Sequence, residues 1–160
     1  MIDLGLEDLK IASTESLGPE MSPVKTVPDI KLIREFELKN KVQFPNSYLA
    51  LVVRNDGTTF KSGTFDSNGE KEQMIEKLLS WDQKSKNNFI IKTNKEIDSA
   101  TLKDKRDALI FAADPWGDKF LFIWDKSTDE PSIVRWAHES DERVLIANTF
   151  DAFLGMLYSG

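Results

Sequence analysis

The spacing of apolar residues changes along the chain, and each change marks an expected element. Ile30, Ile33 and Phe36, with Leu32 beside them, recur at helical spacing. Pro28 suits the first turn of that helix, and Asp29 is favourable at its positive end. A second helix starts at Phe44-Pro45-Asn46-Ser47 and continues through Tyr48, Leu51 and Val52. Asn55-Asp56-Gly57 ends it, with Gly57 suited to a left-handed cap. Thr58-Thr59-Phe60 and Thr64-Phe65 flank Lys61-Ser62-Gly63, which predicts a short hairpin. Met74, Ile75, Leu78 and Leu79 predict a helix ending near Trp81, and a further helix is expected within Lys92 to Lys105.

After residue 107 the pattern becomes that of a sheet. Leu109 to Ala113, Lys119 to Trp124 and Ser132 to Trp136 are apolar runs of strand length, separated by turns at Asp114–Asp118 and Asp125–Pro131. Such short connections predict an antiparallel meander, to which Val144-Leu145-Ile146 adds a short fourth strand. A closing helix, capped by Asn148 or Thr149, carries Phe150, Phe153, Leu154 and Leu157 at core-facing spacing. The expected fold is α+β: an antiparallel sheet, meander plus hairpin, with helices packed on it.

Residues 1–27 crowd Ser13, Thr14, Ser16, Gly18, Pro19, Ser22 and Pro23, a composition that favours a loosely ordered segment. Residues 28–160 then form one domain, a length that buries a real core. Met1 to Lys10 carries Asp3, Glu7 and Asp8, unlike the basic start of a secretory signal. No apolar run has membrane-spanning length. The chain has no cysteine, which excludes disulfides, thiolate nucleophiles and Cys-ligated zinc. A cytoplasmic protein is the expectation.

Net charge is −6, and it is placed unevenly. From Ala108 to Gly160 nine acidic residues face four basic ones, a net of −5, while residues 1–60 carry −2 and 61–107 carry +1. Such a surface repels phosphate backbones and attracts basic proteins.

Little in the sequence points to catalysis. His138 is the single histidine; Ser132, Ser140 and Asp141 are near it in sequence, but no Gly-x-Ser-x-Gly elbow exists. One histidine is too few for a zinc site. Asp114, Asp118, Asp125 and Asp129 lack the EF-hand spacing and read as turn residues. No glycine-rich phosphate loop is present, and Lys103-Asp104-Lys105-Arg106 reads as a solvated face. No enzyme activity, metal or cofactor is expected.

Three blocks resemble the SUKH superfamily, named partly for a fungal cell-wall-assembly regulator. Phe44-Pro45-Asn46-Ser47-Tyr48 with Asn55-Asp56-Gly57 is similar to the family's Leu-Pro-x-x-Tyr helix start and Asn-Gly-Gly end. Ile110 to Asp114 with Gly117-Asp118 and Phe120 resembles its strand, glycine-aspartate turn and strand. Ile133 to Glu139, then Ile146 to Leu154, looks like its closing strand and Ser-Phe-x-x-Phe-Leu helix. Phe44, Asp56 and Thr149 stand where the family has leucine, glycine and serine, and residues 66–107 match none of the blocks.

The resemblance implies an immunity protein that binds and neutralises a cognate polymorphic toxin, a nuclease or deaminase, by occluding it. The alternative it implies is a regulatory interaction module. On this reading the partner is a basic protein, with no nucleic acid or membrane involved. Asp114, Asp118, Asp125, Asp129, Glu130, Glu139, Asp141 and Glu142 supply the attracting field. Trp116, in a turn, supplies apolar contact; Trp124 and Trp136, ending adjacent strands, reach the same rim, and His138 belongs to that candidate face.

Overall fold

The computed structural model describes residues 19–22, 26–85, 88–97, 108–125 and 130–159. Its helices are α1 (Ile30–Asn40), α2 (Asn46–Asn55), α3 (Ile90–Ile97) and α4 (Phe150–Met156). Its strands are β1 (Thr64–Ser67), β2 (Glu70–Met74), β3 (Lys77–Leu78), β4 (Ala108–Ala113), β5 (Lys119–Ile123), β6 (Ser132–Ala137) and β7 (Glu142–Ala147). The main sheet runs β3-β4-β5-β6-β7, antiparallel throughout, and β1-β2 form a separate hairpin. The fold is α+β, as the patterning predicts.

The helix boundaries have local causes. Asp29 caps α1 by accepting from Lys31 N at 3.0 Å. Of the two candidate caps for α4 it is Thr149 that serves, accepting from Ala152 N at 3.0 Å. Gly57 ends α2 with φ +73°, and a Cβ there would lie 2.6 Å from Thr26 Oγ1. Leu157 falls just outside α4, as its C-cap.

Register places residues on faces. Leu109, Phe122, Ile133 and Ala147 align across the sheet, as do Ala112, Phe120, Arg135 and Val144, two positions on in β5 and β6 and three in β4 and β7 where the register shifts, so these rows share one face. Most of that face is covered by aromatic packing. Phe111 stacks on Phe122 at 4.1 Å; Tyr48 from α2 and Phe150 from α4 meet Phe122 edge-on; Phe44 lies against Trp81 and Trp124. Asn94 of α3 bonds both the N–H and the C=O of Ile110, tying that helix to the edge of β4.

Two expectations are corrected. The expected helix through Met74, Ile75, Leu78 and Leu79 is extended chain instead. Leu78 pairs with Ala112, and Leu79 N bonds Phe111 O at 2.9 Å. Ile75, Leu78, Leu79 and Trp81 are all buried because the segment is covered on both sides, which mimics helical spacing. The hairpin is also displaced. Thr59 bridges Lys77, while β1 pairs with β2 around Asn68-Gly69, whose φ values of +54° and +81° are those of a type I′ turn. Ser67-Asn68-Gly69-Glu70 carried that signal in the sequence.

Of the helix expected within 92–105, α3 supplies the first part, and residues 98–107 lie outside the described residues. Residues 1–18 and 23–25 of the N-terminal segment lie outside them too. Glu20 to Ser22 runs beside Thr59–Lys61, with Lys61 N on Glu20 O at 2.8 Å and Ser22 N on Thr59 O at 2.9 Å.

Candidate functional site

The β4–β5 turn and the β6–β7 turn meet at one end of the sheet. Asp114 closes the first. Its buried Oδ1 accepts from Trp116 N and Asp118 N, both at 2.8 Å, and its backbone N–H bonds Asp118 O. Gly117, at φ +101°, completes the turn against the His138 ring: a Cβ there would be 3.1 Å from His138 Cε1. Trp116 is thereby held at the tip with 66% of its surface exposed.

Asp118 joins the two turns. Its Oδ1 faces His138 Nδ1 at 2.8 Å and accepts from His138 N at 3.3 Å, and its Oδ2 accepts from Arg135 Nη2 at 3.0 Å. Burial pushes the Asp118 carboxyl up, but the bonds from His138 and Arg135 outweigh it and hold the carboxyl below its usual range. Arg135 also reaches Asp114 Oδ2 at 3.4 Å and Gln73 Oε1 at 2.8 Å, so the guanidinium ties the sheet to the hairpin. Glu139 sits beside His138, with Oε1 4.0 Å from Nε2.

Between hairpin and sheet lies a cleft of about 140 Å³. Asp118, Arg135, Ala137 and Glu142 line it from the sheet, and Asn68, Glu70 and Gln73 from the hairpin. The hairpin tip is fixed there by Asn68 Nδ2, which donates to Leu145 O at 3.1 Å.

The structure thus gathers Asp114, Trp116, Asp118, His138, Glu139, Asp141 and Glu142 on or around these two turns, with Trp136 buried beneath them, and places Trp124, Asp125 and Glu130 elsewhere. Trp124 and Trp136 are buried, at 5% and 7% exposure, and are not surface anchors. The Trp124 indole donates to Gln43 O and the Trp136 indole to Asp141 Oδ1, so their polar edges are engaged. Asp125 and Glu130 are exposed, but they follow β5 and precede β6, at the far end of β5 and about 15 Å along the strand from the two turns. Asp129 lies outside the described residues. The sequence reading gave no role to Arg135, Asn68, Glu70 or Gln73. Only the Asn-Gly turn signal pointed toward the last three.

Among the described residues no group of three or more His, Asp or Glu side chains could hold a metal ion. No helix among them is long and apolar enough to cross a membrane. Residues 30–154 match the family SUKH_6, described as SMI1-KNR4 cell-wall. The chain belongs to the SUKH superfamily. The match spans the expected blocks and the hairpin between them. No curated protein matches the chain. In this SUKH domain the Asn55-Asp56-Gly57 block has a structural purpose. Asp56 is fully buried and accepts from Ser80 Oγ at 2.6 Å, Thr26 Oγ1 at 2.8 Å and Trp81 N at 2.9 Å, joining three chain segments.

Proposed function

We propose that this SUKH protein is a cytoplasmic immunity protein that binds a cognate toxin, a nuclease or deaminase, and neutralises it by occlusion. The observation that carries this reading is Trp116: a large apolar side chain, 66% exposed, on a turn whose backbone Asp114 holds, at the end of the sheet that also carries Asp118, Glu139, Asp141 and Glu142. An exposed tryptophan is an anchor type common at protein interfaces. Toxins that act on nucleic acid carry basic grooves, and an acidic end steers to and covers such a groove. The reading gives His138 a place in the contact between the two turns, through Asp118, and gives no residue a catalytic role.

The test is an affinity pull-down of the tagged protein from its native cells with neighbouring genes expressed. A single stoichiometric basic partner encoded beside it is the expected result. Recovery of unrelated host proteins, or of nothing where the neighbouring product is present, overturns the immunity reading in favour of a regulatory module.

A further inference from the structure

We propose that the cleft between the β1–β2 hairpin and the β6–β7 end of the sheet seats one basic side chain, arginine or lysine, of the protein partner. The proposal rests on the partner-binding reading above and names where the partner's charge is received.

Size comes first. A cleft of about 140 Å³ is well below the ~300–1,000 Å³ of small-molecule and cofactor sites, and on the order of a few waters fill it. That volume suits the head of one long side chain.

Charge decides the sign. Among the described residues Arg135 is the one cation lining the cleft; its Nη groups are held by Asp118, Asp114 and Gln73, and its buried Nε–H has no partner among those residues. Glu70 and Glu142 line opposite walls, one on the hairpin and one on β7, and neither has an ion pair among the described residues. An anion entering here would meet two uncompensated carboxylates, whereas a cation would lie between them.

Rigidity completes the case. Asn68 ties the hairpin tip to Leu145 O, and Gln73 Nε2 braces the hairpin's own turn on Ser67 O at 2.9 Å. The walls are therefore set before the partner arrives, which lowers the ordering cost of binding. Asp118 lies two residues from Trp116, so a segment whose basic side chain enters the cleft runs on toward the exposed indole.

The test is a titration of the isotope-labelled full chain with a blocked tetra-arginine peptide and with its uncharged tetra-citrulline counterpart, followed by NMR. Expected are saturable shifts at Glu70, Glu142, the Asn68 side-chain amide and the Arg135 Nε–H, with citrulline binding at least tenfold weaker. The double variant E70Q/E142Q, at two exposed positions, keeps the fold and lowers arginine affinity at least tenfold. Shifts elsewhere on the surface, shifts that never saturate, or unchanged binding by the double variant overturn the proposal. A captured toxin that ignores E70Q/E142Q defeats the cleft and leaves immunity standing; saturable arginine binding without any toxin partner does the reverse.

Discussion

Trp81 donates its indole N–H to the Tyr48 hydroxyl across 2.9 Å, and both side chains are fully buried. The bond joins α2 to the chain leading out of β3 inside an otherwise aromatic core. Burial, the largest influence, pushes the Tyr48 hydroxyl far up, so it stays protonated in the native state. Y48F keeps the ring packing and leaves the Trp81 N–H without an acceptor. The expected cost is about 1–3 kcal/mol. Urea unfolding should show a lower midpoint at unchanged slope.

Asp56 and Asp118 should give opposite pH signatures. Burial raises the Asp56 pKa above its ordinary value of 3.8, against the hydrogen bonds from Ser80, Trp81 and Thr26. The folded state then binds the proton more tightly than the unfolded one, so this group's contribution is greatest below 3.8 and is lost as pH rises through the raised value. Asp118 is held below its ordinary value, so its contribution is present above 3.8 and is lost as pH falls. Stability of D56N relative to the parent should therefore improve as pH rises above 3.8, and that of D118N should improve as pH falls below it. Denaturant titrations extended to both sides of 3.8 check both, and a parallel pH dependence in parent and variant would contradict either assignment.

Gly63 marks a close approach that no side chain can share. A Cβ there would fall 2.1 Å from Ile75 O and 3.0 Å from Phe60 Cβ. The Ile75 N–H also bonds Gly63 O at 2.8 Å, so the two backbones cannot part without losing a buried bond. G63A is expected to cost more than about 3 kcal/mol, at the severe end of single substitutions. G69A, at a turn with open space around it, should cost only about 1–2 kcal/mol for its left-handed φ. Comparing the two by thermal unfolding separates steric conflict from backbone strain.

These residues also show how far the sequence could be read. Phe150 and Phe153 at helical spacing, and the meander from Leu109 to Trp136, were legible because each buries one periodic face. Residues 74–81 were not, because an extended segment buried on both sides carries its apolar residues at helix-like spacing. The β4–β5 turn was legible as a turn, but Asp114 reads from sequence as one more surface charge. Only the fold shows it buried beneath Arg135, with both oxygens engaged. The cleft was invisible because it joins residues some 70 positions apart, Glu70 and Glu142, which nothing local relates.

Trp116 is the sharpest test of the proposed interface. Its indole is mostly in water, and the turn beneath it is held by Asp114 and Gly117, not by the ring. W116A should therefore change folding stability by less than about 0.5 kcal/mol. At an interface centre the same truncation costs at least about 2 kcal/mol of binding, seen mainly as faster dissociation. Charge reversal at Glu139 and Glu142, both exposed, should act differently: slower association, with the loss shrinking as salt rises. Surface plasmon resonance against the captured partner resolves the two. If W116A leaves dissociation unchanged while unfolding curves overlay, the interface lies elsewhere on the domain.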